Sequence, residues 1–195
     1  MEEKNRCPWC LGDELLLRYH DEEWGSELHS DAKHFEYLLM EVMQCGLNWM
    51  MMLKKREIFR QCFDGFDYER IAEYGEEKIA QILAYPGMIR SERKVRAVVG
   101  NAHRFIEIIG EFGSFDRYLW GFTDGKSVLY RDRHHYATSR LSDEISRDLK
   151  KRGFKYLGSV TVYAHLEACG IVNDHSEICW KYAALLKNCV SADPY

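Results

Sequence analysis

Along most of this chain the apolar positions return every three or four residues, the period of a helix packed on one side. Phe35, Leu38, Leu39 and Val42 form one such stripe, opened by a cap residue at Ser30 or Asp31 and stopped at Gly46. A second helix is predicted from Asn48 to Phe63, and shorter ones over Tyr68–Tyr74 and Glu76–Ala84. Pro86-Gly87 breaks the chain. Ser91 then caps a long helix carrying Val95, Val98, Val99, Ala102, Phe105, Ile106 and Ile109, ended by Gly110 and Gly113. From Gly121 to Leu141 the period is lost. That stretch holds Thr-Asp-Gly and the adjacent His134 and His135, and it reads as a long loop of the kind that often carries function. Helix resumes over Ser142–Lys151, over Val160–Ala168 and from about Asp174. No segment alternates as a strand does and no unit repeats, so the pattern predicts an all-α chain.

Composition narrows this picture. At 195 residues the chain suits one domain of roughly 100–200 residues. With 46% hydrophobic and 30% charged residues it can build a core and is not a disordered tract. No apolar run nears the ~20 residues that span a bilayer, and Met1–Arg6 leads into no signal sequence, so a cytoplasmic protein is expected. The formal net charge of −4 argues against a broad electropositive coat and leaves room for local basic patches. Seven cysteines, an odd number without a secretion signal, point to reduced thiols. Cys45, Cys62 and Cys169 sit in apolar helical contexts and read as core fillers, whereas Cys189 in the tail carries no reading of its own.

Three groups of residues suggest chemistry. The first is Leu149-Lys-Lys-Arg-Gly-Phe-Lys-Tyr-Leu-Gly158, a turn between two helices. Gly153 and Gly158 let the backbone come close to a partner, and Lys150, Lys151, Arg152 and Lys155 add positive charge beside a helix N-terminus, which suits a nucleic-acid phosphate; an ordinary connection between two helices with solvated lysines is the competing reading. Lys54-Lys55-Arg56 and the Arg90, Arg93, Lys94, Arg96 cluster suggest that positive charge is segregated to one surface. The second group is His175 and Cys179, four apart, which on a helix would share one face. With Cys7, Cys10 and His20 near the other end, they offer zinc a closed site of about four N and S ligands that would staple the two ends of the chain. Buried free thiols and a core histidine are the competing reading. The third group is aromatic: Trp9, Tyr19, Trp24 and Trp49, with Phe35 and Tyr37 nearby, either sandwich a planar base or fill a core. Glu41 interrupts the stripe Tyr37–Met43 at the edge of its apolar face, so it is either solvated or buried awaiting a partner, and a cationic ligand would be one.

Taken together, these segments resemble the DNA-3-methyladenine glycosylase I family, within the helix-hairpin-helix DNA glycosylase superfamily. The resemblance rests on Arg18-Tyr-His-Asp-Glu-Glu-Trp-Gly25, Glu41-Val-Met-Gln-Cys-Gly-Leu-Asn-Trp49, Leu53-Lys-Lys-Arg-Glu57, Ile89-Arg-Ser-Glu-Arg-Lys94, Asn101-Ala102, the 149–158 turn, and Ala168-Cys-Gly-Ile-Val-Asn-Asp-His175. These run in order across nearly the whole chain. The resemblance implies a helix-hairpin-helix glycosylase fold in a single unit, with a clasp lobe from 1–30 and 165–195, a helical core with the pocket helix in 31–120, and the hairpin in 142–170. It also implies a structural zinc held by Cys7, His20, His175 and Cys179, with Cys10 unmatched. Glu41 and Tyr19 correspond to the residues that hydrogen-bond the methylated adenine, Trp49 to its stacking platform, and Trp9 and Trp24 to the pocket lining. Leu47 corresponds to the residue that fills the gap left in the duplex. Gly153, Lys155, Gly158 and Lys151 correspond to the DNA anchor.

The activity so implied is hydrolysis of the N-glycosidic bond of 3-methyladenine in double-stranded alkylated DNA by a monomer, the first step of base excision repair. Val160 stands near the place where strand-cleaving relatives carry a lysine, so no lyase step is expected. Asp174 reads as a helix cap ahead of His175. Val42, Met43, Cys45, Asn48 and Met50–Met52 depart from the family's pocket helix and bear on substrate range. Two other classes compete: a DNA-binding module without catalysis, for which Val42 and Met43 are the support, and a zinc hydrolase, against which a fourth protein ligand argues.

Overall fold

The computed structural model describes residues 4–130 and 136–195. Its elements in chain order are α1 (Glu14–Glu22), α2 (Asp31–Gln44), α3 (Trp49–Cys62), α4 (Tyr68–Ala72), α5 (Glu76–Ala84), α6 (Glu92–Phe112), α7 (Phe115–Gly121), β1 (Ser127–Tyr130), α8 (Arg140–Lys151), α9 (Ser159–Ala168), α10 (Trp180–Leu185) and β2 (Cys189–Ala192). Short 3-10 turns at Pro8–Cys10, Asp64–Phe66 and Leu186–Asn188 complete the list. α6 is the axis of the molecule. Its buried stripe of Val95, Val98, Ala102, Phe105 and Ile108 packs against α2, α4, α5 and α7. α2 lies at the centre: residues 34–43 are all buried, so this helix has no wet face. α8 and α9 pack on each other as the two arms of the hairpin. α8 is strongly two-faced, and its start is fixed by Ser139 and Ser142, each of which accepts the other's backbone N–H.

Buried charge on α2 is matched across to α3. Arg56 reaches Glu23 and Glu36, both at 2.7 Å, and the Tyr37 hydroxyl donates to Glu23 at 2.9 Å. Burial works against ionisation of both acids, but the Arg56 guanidinium holds each below its ordinary value. This network locks the long axis of α3 onto α2. It also shows that Arg56 faces inward, to carboxylates.

The structure departs from the sequence reading in several places. The chain is mostly helical but not all-α: β1 and β2 pair in parallel, Ser127 opposite Cys189 and Tyr130 opposite Ala192, with a further bridge from Val128 to Val172. β1 is covered on both sides, so its sequence does not alternate, and β2 is only four residues long. The expected loop from Gly121 to Leu141 therefore contains a strand and the start of α8, while His134 and His135 lie outside the described residues. The helix expected from Asp174 begins only at Trp180. Asn173 is held to the strand by its N–H to the Val128 carbonyl at 2.9 Å, and its side chain accepts the His175 N–H at 3.3 Å, a local turn that competes with a helix. Asp174 is thus no cap. Gly110 lies within α6, which runs on to the left-handed Gly113.

The two ends of the chain meet beside α9. Gly25 and Leu28 donate to the carbonyls of Ala168 and Cys169 at 3.3 and 3.1 Å, and Lys181 donates to the Trp24 carbonyl at 3.0 Å. Gly170 makes the contact possible. Its φ is +77°, and a Cβ there would lie 2.7 Å from the backbone carbon of Ser26.

Candidate functional site

A cavity of about 320 Å³, at the small end of ligand pockets, opens between α1, α2, α3 and α9. It is lined by Trp9, Tyr19, Trp24, Glu41, Gln44, Trp49, Tyr136, Ala164, Glu167 and Asp174. Tyr19 and Trp49 stand with ring centres 5.5 Å apart at 49°, and Trp9 meets Trp24 edge-on at 4.9 Å. Glu41 is 2% exposed, and its Oε2 has no hydrogen-bond partner. Burial alone pushes its carboxyl up from 4.5 to about 8. Glu167 on the same wall is held well above its ordinary value, first by burial and then by a hydrogen bond with Asp174. Three carboxyl groups therefore share one aromatic cavity. A larger cavity of about 570 Å³ lies around Arg117, Tyr118, Arg147 and Arg152. On its wall Asp148 is paired with Arg152 and Glu144 is exposed, whereas the smaller cavity holds a buried carboxyl without a partner.

Four buried residues converge beside this cavity. Cys7, His20, His175 and Cys179 bring one ligand atom each to within 4.8 Å of the others. The Cys7 Sγ and Cys179 Sγ lie 3.4 and 3.6 Å from His175 Nδ1, and Cys179 Sγ lies 3.4 Å from His20 Nε2. Tetrahedral zinc with bonds of 2.0–2.3 Å requires ligand-to-ligand edges of about 3.3–3.8 Å, so the donor set fits in type and spacing. Burial lowers the pKa of His175 to about 3 and raises that of Cys7 to about 11. The histidine is thus the neutral form that a metal needs, and an ion would have to displace the thiol protons. His20 turns its other nitrogen to Asp21 at 2.9 Å, which fixes the ring, and Asp21 is held by Arg6 at 2.8 Å. The spacing argument that singled out His175 and Cys179 fails, because they lie in a loop and at the cap of α10. The group assembles through tertiary folding instead. Cys10 is outside it, with its thiol donating to the Cys7 carbonyl at 3.0 Å. Gly25 closes the group from the other side: its φ is +73° and a Cβ would sit 2.2 Å from His175 Nε2. Gly25→Ala is expected to cost about 3 kcal/mol or more, read as a lowered melting temperature. A second buried group, His34, His165 and Cys169, also lies within reach of an ion. There His34 already bridges Asp116 and His165, each at 3.3 Å.

Leu47 does not line the cavity. It is 36% exposed in the turn between α2 and α3, with its N–H donating to Gln44 at 2.6 Å. Across from it, the hairpin turn exposes Lys151, Gly153, Lys155 and Gly158, and Gly158 caps α9. The expected basic surface is smaller than the sequence suggested. Arg152 pairs with Asp148 and Glu111, Arg96 with Glu76 and Glu92, Arg56 with Glu23 and Glu36, and Lys94 is buried. Val42 and Met43, read as pocket departures, belong to the hydrophobic core. Asn48 caps α3 by accepting the Met51 N–H. Sequence reasoning missed Gln44, Glu167 and Tyr136 on the cavity wall. Only Glu167 left a signal, as the single acid on α9, much as Glu41 stood out on α2.

A helical frame carrying an acidic, aromatic cavity beside a Cys/His group defines a class that the comparisons narrow. The model of the methyladenine glycosylase family matches residues 9–182, and the chain belongs to that family. It is similar to DNA-3-methyladenine glycosylase 1 of Escherichia coli K12, 36% identical over 180 residues, covering 91% of this chain and 96% of the relative. Among solved structures, 3-methyladenine DNA glycosylase I superposes with a TM-score of 0.84 at 38% identity, covering 90% of this chain and 98% of that one. A variant of such an enzyme in complex with 3-methyladenine gives a TM-score of 0.86 at 30% identity, covering 91% and 97%.

Proposed function

We infer that this chain is a DNA-3-methyladenine glycosylase: it hydrolyses the N-glycosidic bond of 3-methyladenine in alkylated double-stranded DNA and opens base excision repair. The observation that carries this reading is the unpartnered, buried carboxyl of Glu41 facing an aromatic cavity. The relatives support it, since they are named for this activity and one similar chain was solved with the base.

A base within a duplex is out of reach, so it must be everted at a cost of a few kcal/mol, less when the lesion has weakened its pair. Leu47 fills the gap, and the hairpin at Gly153–Gly158, with Lys151 and Lys155, holds the backbone. Methylation at N3 makes the attached purine cationic. Trp49 and Tyr19 offer it ring faces worth about 0.5–2 kcal/mol, and the Glu41 carboxylate adds charge attraction in a site of low dielectric. Neutral adenine gains neither. The bond from C1′ to the base then breaks with its electron pair passing into the purine, which leaves neutral. Water adds to the sugar cation and its proton passes to solvent. A cationic leaving group needs no protonation, so no strong acid is required. Val160, exposed on the first turn of α9, offers no amine to trap the sugar, and the strand stays intact. Cys7, His20, His175 and Cys179 would hold a structural zinc that ties the chain ends behind Trp9 and Trp24. With four protein ligands it leaves no open position for water.

We further take the protein to act as a monomer in the cytoplasm, where its seven thiols stay reduced. No helix among the described residues is long and apolar enough to cross a membrane. The departures at Val42 and Met43 no longer argue for a catalytically silent binder, because both are core residues.

The pH dependence tests this reading. Tyr19 and Glu167 lie close to Glu41, Asp174 lines the same cavity, and with its carboxyl near 8 the free enzyme carries Glu41 largely protonated at neutral pH. kcat/KM on methylated duplex is therefore expected to rise with pH through about 8, and Glu41→Gln to remove that limb. Stability should move the other way. The folded state keeps this proton between about 4.5 and 8 while the unfolded chain loses it, so the contribution falls as pH rises through that window. A flat kcat/KM profile across this range would contradict the role of Glu41.

A further inference from the structure

The turn that carries Leu47 and the tip of the hairpin are both held by α6, through two buried polar side chains seven residues apart. Lys94 is 8% exposed, and its Nζ donates to the carbonyls of Met43 and Cys45, both at 2.7 Å. These are among the last carbonyls of α2, which have no partner within the helix, and an ammonium at a helix C-terminus satisfies them and opposes the helix dipole. Asn101 is 4% exposed. Its Nδ2 donates to the Lys155 carbonyl at 3.0 Å, and its Oδ1 accepts the Lys155 N–H at 2.8 Å. One side chain thus occupies both backbone groups of a residue at the hairpin tip. A seven-residue spacing places the two side chains on the same face of α6, about 10 Å apart along its axis. The two turns also touch directly: Cys45 Sγ lies 3.8 Å from the Tyr156 carbonyl and 4.0 Å from Thr161 Oγ1.

We propose that Lys94 and Asn101 are positioning residues that use α6 as a rail to set the Leu47 turn and the hairpin in one register, so that both engage a single duplex while the lesion enters the cavity. The proposal rests on the reading of Leu47 and the hairpin as DNA-contacting. It explains why a lysine from a basic cluster is buried against carbonyls rather than offered to phosphate. Neither residue lines the cavity, so the base itself is bound without them. Their contribution belongs to the passage from bound duplex to everted base.

The test separates these steps. Free 3-methyladenine binding is followed by tryptophan fluorescence, affinity is measured for a duplex bearing a tetrahydrofuran abasic analogue, and kcat/KM is measured on methylated duplex. For Lys94→Met, kcat/KM is expected to fall about 100-fold while free-base affinity stays within about twofold. Lys94→Arg, which can reach both carbonyls, should recover about a tenth or more of the loss-free rate. Asn101→Leu should weaken abasic-duplex binding about tenfold with free-base affinity unchanged. If Lys94→Met does not fold, Lys94→Gln should give the same split at smaller size, and Asn101→Leu carries the test separately. Unchanged kcat/KM in the Lys94 and Asn101 variants, or free-base binding lost in step with turnover, would overturn the proposal. A wild-type chain that frees no 3-methyladenine overturns the functional reading and the proposal together, and that result is in hand before any variant is compared.

Discussion

Glu41→Gln is expected to lower kcat/KM for 3-methyladenine release by about 100-fold or more, with the fold and the metal content unchanged. The size follows from replacing a carboxylate by a neutral amide opposite a cation in a site that excludes water, where a well-placed electrostatic contact contributes about 3 kcal/mol to the transition state. Glutamine keeps the shape of the side chain, so a loss of this size reports charge and not packing. Glu41→Met goes further. It removes a carboxyl whose Oε2 is buried without a partner, at a desolvation cost of about 1–3 kcal/mol. That variant should therefore melt a few degrees higher than the parent while being inactive, the trade expected where a site stores unmet polar demand. A Glu41→Met chain that is less stable than the parent would mean that the carboxyl has a satisfying partner in solution.

Extraction of zinc is expected to have the largest effect on stability. The purified chain should hold one zinc, and a chelator should lower its melting temperature by about 10 °C, as expected for the loss of about 3–5 kcal/mol in a chain of this length. The loop that such an ion would close between Cys7 and Cys179 spans nearly the whole chain, which is where a crosslink constrains the unfolded state most. Trp24 packs on the His175 ring at 4.5 Å, and Trp9 lies 5.5 Å from that of His20, so the cavity wall should loosen with the clasp. Cys7→Ser should reproduce the effect. Cobalt substitution should give thiolate-to-metal absorption in the wild type that is weakened in this variant. Loss of activity in a metal-free chain that melts like the holo form would point instead to a catalytic ion.

The long helices and the odd placement of Glu41 were legible in the sequence because local periodicity records them. The stripe from Phe35 to Val42 and that from Val95 to Ile109 became α2 and α6, and the acid that broke the first stripe is the buried Glu41. Features that depend on distant partners were not legible. β1 shows no alternation because residues on both of its faces are buried, and residues 173–179 are irregular because Val128 and the Asn173 side chain take up their backbone groups. The same cause misdirected the charge reading. Arg56, Lys94, Arg96 and Arg152 look alike in sequence, yet each is engaged by acids or carbonyls that only the fold brings near. The Cys/His group was found through residue types near the two chain ends, although the helical spacing offered for half of it does not exist.

On the proposed reading, a buried acid and an indole select an everted, cationic purine over its neutral parent. Chromatography of the bases freed from methylated and unmethylated duplex DNA tests it most directly. Free 3-methyladenine is expected from the methylated duplex, no adenine from either, and unbroken strands. Adenine released at a comparable rate, or no base released by a folded chain, would contradict it.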